Sequence, residues 1–281
     1  LMEKELYSFS KLNAFHTCPF QYYLTYVKNL NREQNCYGYY GNELHKLLEE
    51  LQQRKITNQE AIQKYNEVIE YANLMDYNFP TPNSRINYLE CILHYIENFV
   101  PIECDKYYIE EYFEFDINGI TMRGYIDLYY VIDDKIYVID YKSSSKFSKK
   151  DLPKKSMQLI LYAMYLKEKY PDKVIEYVAF DMCKYMKNEK GVLIERNKID
   201  NINNYERAIV KIKYTKELEK QLIDFVVDTV TQIKQLDFND ESVWCKNDDK
   251  GNQFFCRTLC SHYDKGCKHK ENKDFKKSKS Q

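Results

Sequence analysis

Glycine is scarce in this sequence, which holds only 7 glycines among 281 residues. So few glycines leave few positions for tight turns, and they favour long helices around a small sheet. Long apolar runs are also missing, because no stretch approaches the roughly 20 residues that span a bilayer. Residues 1–15 lack the apolar segment of a signal peptide. We therefore expect a cytoplasmic protein without a membrane partner.

An excess of charge of either sign is absent too, since 42 lysines and arginines stand against 43 aspartates and glutamates. The net charge of −1 excludes a chain that is basic throughout, but it allows a local basic patch. Hydrophobic residues make up 44% and charged residues 30%, which excludes a mainly disordered chain. The composition is that of an ordinary globular protein.

Helical periodicity dominates much of the chain. It predicts helices over 41–51, 84–100, 156–169 and 216–236. Near the start, Pro19 interrupts a helical stretch, so we expect two short helices with a bend at Cys18-Pro19.

Between Tyr107 and Lys142 the hydrophobic period changes to two, which is typical of strands. Asn118-Gly119 is the strongest short hairpin signal, and Asp133-Asp134 predicts the next turn. These signals predict a three-stranded meander, and 173–182 is predicted to be a further strand. We therefore expect an α/β fold, a small mixed sheet flanked by helices.

The predicted meander brings charged residues together. Asp140 and Lys142 are two residues apart on one strand, so they project from the same face. Asp127 lies on the preceding strand, and a short hairpin could bring it beside Asp140. Two converging carboxylates repel each other, and a divalent cation between them removes that repulsion.

A metal at this position would suit the hydrolysis of phosphodiesters. It lowers the pKa of bound water and neutralises charge on the phosphate, while Lys142 orients that water or stabilises the transition state. The alternative is a surface Asp–Lys pair, because the triplet D-x-K is common. The neighbours favour the metal, since His45 on a predicted helix could be a third ligand, and Gln158 and Tyr162 share a helix face. The Lys-rich loop 143–155 could contact a phosphate backbone, although such loops are more often simply solvated.

In this order, the motifs resemble the PD-(D/E)XK nuclease superfamily. The closest resemblance is to its RecB/AddB-like branch with an iron–sulfur cluster, which is similar to CRISPR adaptation and phage-type exonucleases. The resemblance covers about residues 8–165. Its motifs are GNELH with His45, GYID with Asp127, IDYK with Asp140 and Lys142, and QLILY with Gln158 and Tyr162.

The resemblance implies a site for Mg²⁺ or Mn²⁺. Its ligands would be His45, Asp127, Asp140 and the backbone carbonyl of Tyr141. The resemblance also implies that Lys142 is the catalytic lysine and that Gln158 and Tyr162 position the substrate or this lysine.

Two further acids, Glu110 and Glu111, lie on the first strand of the meander. We expect Glu111 to share a face with Ile109 and Phe113, where it could support the site. A solvated glutamate at the strand edge is the simpler interpretation.

Nine cysteines are present, and in a reducing cytosol we do not expect them to form disulfides. Four of them are scattered and are predicted to be small buried hydrophobes: Cys36, Cys91, Cys104 and Cys183. Cys18 lies in a stretch that matches S-x-S-x-L-x-x-F-x-x-C-P-x-x-Y of the same nuclease branch. The resemblance implies that Cys18 and three C-terminal cysteines bind a four-iron four-sulfur cluster that ties the two chain ends together.

The C-terminal cysteines depart from the C-x2-C-x5-C spacing of that branch. Five cysteines compete for four places in the cluster, namely Cys18, Cys245, Cys256, Cys260 and Cys267. A structural zinc site within 245–267 is the alternative, because thiolates bind zinc as well as iron–sulfur clusters. The zinc alternative leaves Cys18 and its matched surroundings unexplained.

The resemblance implies a metal-dependent DNA exonuclease that hydrolyses phosphodiester bonds at single-stranded DNA ends in recombination, repair or phage DNA processing. A helicase or recombination protein is an expected partner. The alternatives are a non-catalytic DNA-binding subunit of nuclease fold, and a structure- or site-specific endonuclease. We expect a single nuclease domain over 1–281. It would comprise a helical region over residues 1–106, a catalytic sheet and helix over residues 107–182, and a C-terminal region over residues 183–281 with the cysteines and a basic tail.

Overall fold

The computed structural model describes residues 5–104, 106–148, 150–246, 254–264 and 266–269. The helices in these ranges are α1 (Phe9–Thr17), α2 (Pro19–Tyr22), α3 (Cys36–Gln52), α4 (Asn58–Leu74), α5 (Pro82–Glu97), α6 (Leu152–Lys169) and α7 (Lys216–Gln235). The strands are β1 (Leu6–Tyr7), β2 (Lys106–Ile117), β3 (Ile120–Ile132), β4 (Lys135–Lys142), β5 (Val174–Asn188), β6 (Leu193–Glu195) and β7 (Tyr205–Ile212). The predicted basic tail lies outside the described residues from position 270 onward.

All seven strands belong to one mixed sheet. Strand β3 pairs antiparallel with β2 and β4, and parallel with the short β1. Strand β5 pairs parallel with β4 and antiparallel with β6 and β7. The parallel pair needs a crossover, and α6 supplies it. The expected α/β fold with a mixed sheet flanked by helices is therefore confirmed.

Turn chemistry explains the meander. Asn118 and Gly119 both have positive φ angles, 51° and 81°, as a two-residue hairpin turn between right-twisted strands requires. Asp133 has a φ of 55° in the next turn. Both predicted turns are confirmed.

The predicted helices are all present with shifted ends, as the positions of α3, α5, α6 and α7 show. The predicted bend near the start is also present, because Cys18 is extended between α1 and α2 and Pro19 opens α2. Helix α4 and strands β1, β6 and β7 were not predicted. None of the helices among the described residues is both long enough and apolar enough to cross a membrane.

The chain divides into two compact units. The first comprises Leu1–Phe9 and Cys36–Val227, and it contains the sheet. Its main core joins α3, α4 and α5 to the sheet, and Leu44, Leu48, Leu128 and Ile139 are almost completely buried there. This packing fixes α3 beside the ends of β3 and β4.

The second unit comprises Ser10–Asn35 and Asp228–Gln281, so it joins a segment near the start to one near the end. Trp244 is fully buried at its centre. Its ring stacks on Tyr22 at a centroid distance of 5.8 Å and on Tyr23 at 5.3 Å. The Phe20 amide donates a hydrogen bond to the carbonyl of Cys245 at 3.1 Å. Of the four scattered cysteines, three are buried as predicted, whereas Cys104 is half-buried.

Candidate active site

The pairing of β3 with β4 positions two carboxylates. Leu128 lies opposite Ile139, and one further step in this register places Asp127 opposite Asp140. Instead of continuing the ladder, the backbone amide of Tyr141 donates a hydrogen bond to Oδ2 of Asp127 at 2.9 Å. The Asp127 side chain is therefore held at the point where the two strands stop pairing.

Helix α3 brings His45 to the same point. Its ring nitrogen Nε2 lies 3.0 Å from the carbonyl oxygen of Tyr141, and Nδ1 lies 3.4 Å from Oδ2 of Asp127. Gly41 lies one turn earlier on the same helix and faces Ser143, whose Oγ would be in ordinary contact, at 3.4 Å, with a Cβ at this position. The spacing G-x-x-x-H therefore places both residues near the end of β4.

Charge repulsion and burial mark Asp127 as an unusual acid. Burial and the neighbouring Asp140 raise its pKa to about 7, against the opposing effects of His45 and Lys142. When the pKa of a carboxyl group is raised in this way, a further cation beside it stabilises the ionised form. The negative charge of Asp140 thus acts directly on Asp127.

Lys142 forms an ion pair with Asp140, with Nζ 2.5 Å from Oδ2. Asp140 is 1% exposed, whereas the Lys142 side chain retains 29% exposure and so reaches the surface. Burial disfavours the lysine charge, but Asp140 and Asp127 together raise its pKa above the ordinary value. Lys142 is therefore a protonated, accessible cation beside the carboxylates.

Helix α6 carries Gln158 and Tyr162. Gln158 Nε2 donates a hydrogen bond to the Tyr162 hydroxyl at 2.6 Å, as their spacing of four residues allows. Burial and the charges of Asp140 and Asp127 raise the pKa of Tyr162 well above its usual value. Tyr162 is thus a neutral phenol near the carboxylates, and Gln158 orients it.

The donor atoms fit a divalent metal ion. Neighbouring ligands of an octahedral Mg²⁺ lie about 3 Å apart, since each is about 2.1 Å from the ion. The 3.0 Å between His45 Nε2 and the Tyr141 carbonyl agrees with that spacing. Oδ2 of the buried Asp140 is held by the Lys142 ammonium group at 2.5 Å. A cation at this point would compensate both carboxylates.

Comparison with known proteins agrees with this geometry. The family model described as the PD-(D/E)XK nuclease superfamily matches residues 7–261. The chain belongs to the PD-(D/E)XK nuclease superfamily. Nucleases of this superfamily hydrolyse phosphodiester bonds with divalent metal ions such as Mg²⁺.

One curated protein that is similar to this chain comes from a phage. The "Gene 69 protein" of Mycobacterium phage D29 is 41% identical over 56 residues. The match covers 20% of this chain and 19% of that protein. The chain therefore matches about a fifth of the phage protein's length.

Glu110 is a residue of the site that the sequence did not single out. Carboxylate and imidazole atoms of His45, Glu110 and Asp127 lie within 4.8 Å of one another. The β2–β3 register places Glu110 opposite Asp127, but Glu110 has a φ of 49° and the ladder skips this pair. Partial burial raises the pKa of Glu110, as do Glu49 and Asp140, whereas His45 lowers it. A positive φ at a glutamate costs about 1–3 kcal/mol, and such strain is typical of functional positions.

The same irregularity corrects the prediction for Glu111. Ile109 packs against the core of α3, α4 and α5, whereas Glu111 bonds to Tyr165 and Lys169 of α6. Residues two apart in a regular strand would share a face, so the prediction that Glu111 shares a face with Ile109 is wrong. Glu111 is also not a solvated edge residue, because its side chain is 18% exposed and paired with Lys169.

The acids line a small open cleft. Its polar lining comprises His45, Glu49, Gln52, Glu110 and Asp127, and Tyr141 also borders it. The candidate metal ligands His45, Glu110 and Asp127 therefore face solvent from one side.

Four of the five candidate cluster cysteines are neighbours in the second unit. Burial raises the pKa of Cys260 to about 11, and the nearby thiols of Cys18, Cys267 and Cys256 add to this shift. Cys245 is exposed. No disulfide joins any of the nine cysteines, all of which are among the described residues.

Proposed function

We propose that the protein is a metal-dependent deoxyribonuclease of the RecB/AddB-like branch that degrades DNA from its ends, with preference for single strands. The convergence of His45, Asp127, Asp140 and Lys142 at the end of β3 and β4 is the observation that carries this proposal. The histidine on α3, in place of a further acid, favours this branch. Recombination, repair or phage DNA processing is the proposed context, and the phage relative supports the last of these.

The ligands of the proposed metal are His45, Asp127, Asp140 and the carbonyl of Tyr141. A divalent ion held there would neutralise charge on the scissile phosphate and make water more acidic. The protein prepares this position through the Tyr141 backbone, whose amide holds Asp127 while its carbonyl faces His45. Glu110 adds a carboxylate on the cleft side.

Lys142 is the proposed catalytic cation. Its raised pKa keeps Nζ protonated at neutral pH. In that state it attracts the phosphate and stabilises negative charge that develops during hydrolysis. Tyr162 stays neutral near the acidic cluster, and its hydroxyl accepts a hydrogen bond from Gln158, which fixes its orientation.

We also propose that Cys18, Cys256, Cys260 and Cys267 bind a four-iron four-sulfur cluster. The thiols of Cys18, Cys256 and Cys267 all lie close enough to Cys260 to shift its pKa, so this group draws on both chain segments of the second unit. A zinc site within 245–267 would leave Cys18 without a role, which favours the cluster of the RecB/AddB-like branch.

The domain organisation, the location in the cell and the partner follow from the same nuclease function. We propose that residues 1–281 act as one nuclease domain in the cytoplasm, where reduced cysteines persist. A helicase or recombination protein is the proposed partner, since end degradation needs a supply of unpaired strands.

Linear and circular single-stranded DNA of the same sequence test the mode of action. With Mn²⁺ we expect the linear strand to be shortened from an end and the circle to remain intact. Cleavage of both at similar rates would instead establish an endonuclease. Binding of both without any cleavage would establish the non-catalytic subunit.

A further inference from the structure

An exposed pair of tyrosines lies on the β2–β3 hairpin next to the candidate site. Tyr112 and Tyr125 lie directly opposite each other in the antiparallel register, and their ring centroids are 5.2 Å apart. Tyr112 is 44% exposed and Tyr125 is 56% exposed. The two rings therefore lie side by side with an interplanar angle of 56°, and both are open to solvent.

Other tyrosines of these strands have packing partners that explain them. Tyr108 stacks on the buried Tyr129, and Lys169 lies over both rings. Tyr130 is also buried and stacks on Tyr137. Cross-strand contact between the two rings would stabilise the hairpin only weakly. Packing thus accounts for the other tyrosines but leaves the outer surface of Tyr112 and Tyr125 without a role.

The position of Tyr112 and Tyr125 on the hairpin suggests a role for them. Arg123, Tyr125 and Asp127 follow one another at intervals of two residues on β3, which corresponds to steps of about 7 Å along the strand. Arg123 is exposed and interacts with the Tyr112 hydroxyl, which also donates a hydrogen bond to Glu114 at 2.6 Å. A metal ligand, an aromatic surface and a guanidinium therefore follow each other in line.

This order matches the repeating chemistry of a single DNA strand, in which a base separates one phosphate from the next. We propose that Tyr112 and Tyr125 form a stacking platform for an unpaired base next to the scissile phosphate, with Arg123 contacting the neighbouring phosphate. The inference rests on the proposed nuclease function and gives its strand preference a physical cause. Bases in a duplex are already stacked on both faces, so only an unpaired base can use the platform.

Binding of fluorescein-labelled oligothymidylate, measured by anisotropy in EDTA, tests the platform without cleavage. We expect the double variant Tyr112→Leu/Tyr125→Leu to bind the single strand about 5- to 100-fold more weakly, since base–aromatic stacking is lost. Duplex binding should not change. The variant Tyr112→Phe/Tyr125→Phe keeps both ring faces and should bind like the parent protein. Tyr107→Leu is the matched control, because Tyr107 is also exposed on this hairpin, at 37%.

Three results would overturn the inference. Equal single-strand binding by the double leucine variant and the parent would show that no base stacks there. An equal loss for single strand and duplex would show general damage to the hairpin, which urea unfolding of the same variant checks. A parent protein that neither binds nor cleaves DNA would overturn the proposed function as well, whereas normal cleavage with unchanged variants would overturn the platform alone.

Discussion

Glu110 shows how one residue can combine strain and function. Its positive φ angle brings a carboxylate toward His45 and Asp127, at a position where glutamate is unfavourable. No feature of the sequence marks this, because Glu110 lies in the middle of a regular alternating pattern. A local pattern predicts the strand, whereas the surrounding core imposes the irregular backbone.

Replacing Glu110 by glycine or alanine separates these two effects. Both variants lose the carboxylate, and we expect both to need a higher Mn²⁺ concentration for half-maximal cleavage. Glycine adopts a positive φ freely, so Glu110→Gly should be more stable than Glu110→Ala by about 1 kcal/mol. Urea unfolding in EDTA measures this difference. Equal stability of the two variants would contradict the strained backbone, and unchanged Mn²⁺ dependence would remove Glu110 from the site.

The other site residues could be predicted only where neighbouring residues in the sequence determine their position. Asp127, Asp140 and Lys142 follow from strand alternation and a two-residue turn, so their proximity could be predicted. His45 follows from a motif on a helix, but its contact with the Tyr141 carbonyl depends on tertiary packing. The placement of Glu111 was predicted wrongly, because the irregularity at Glu110 reverses the alternation.

At the scale of elements, strong local signals made much of the fold predictable. Asn118-Gly119 predicted the β2–β3 hairpin, and Pro19 predicted the bend between α1 and α2. Amphipathic patterns predicted α3, α6 and α7. Helix α4 was missed although Thr57 and Glu60 form a capping box at its start. Strand β7 was missed because its place depends on pairing with β5, which no local signal reveals.

The contact between the β2–β3 hairpin and α6 depends on Gly124. A Cβ at this position would lie 2.9 Å from the ring of Phe113, which is 2% exposed and packs against Tyr162 and Tyr165. We expect Gly124→Ala to reduce the free energy of unfolding by about 1–3 kcal/mol, because the ring must move in a packed core. Urea denaturation provides the measurement.

A second substitution checks this cause. Phe113→Leu makes room for the added methyl group, so the double variant should lose less stability than the sum of the two single variants. Strict additivity of the two losses would show that the glycine does not serve this contact.

At the scale of the whole molecule, the proposed cluster would link Cys18 to cysteines more than 200 positions later in the sequence. We expect Cys18→Ala, Cys256→Ala, Cys260→Ala and Cys267→Ala each to lower the iron and sulfide content of anaerobically purified protein and to lower its melting temperature. Cys245→Ala is the matched control and should retain both. Zinc in place of iron in the parent protein would contradict the cluster, and loss of iron in the control would contradict the choice of four ligands.

The assignment of the active site is tested by the cleavage of end-labelled single-stranded DNA with Mn²⁺. The experiment compares the parent protein with Lys142→Ala and Lys135→Ala. Both lysines belong to β4, but Lys135 pairs with Glu176 at the surface, away from the carboxylates. We predict that the parent and Lys135→Ala shorten the strand, that EDTA stops them, and that Lys142→Ala shows no cleavage while its melting curve remains cooperative. Full cleavage by a folded Lys142→Ala variant would contradict the assignment of the active site.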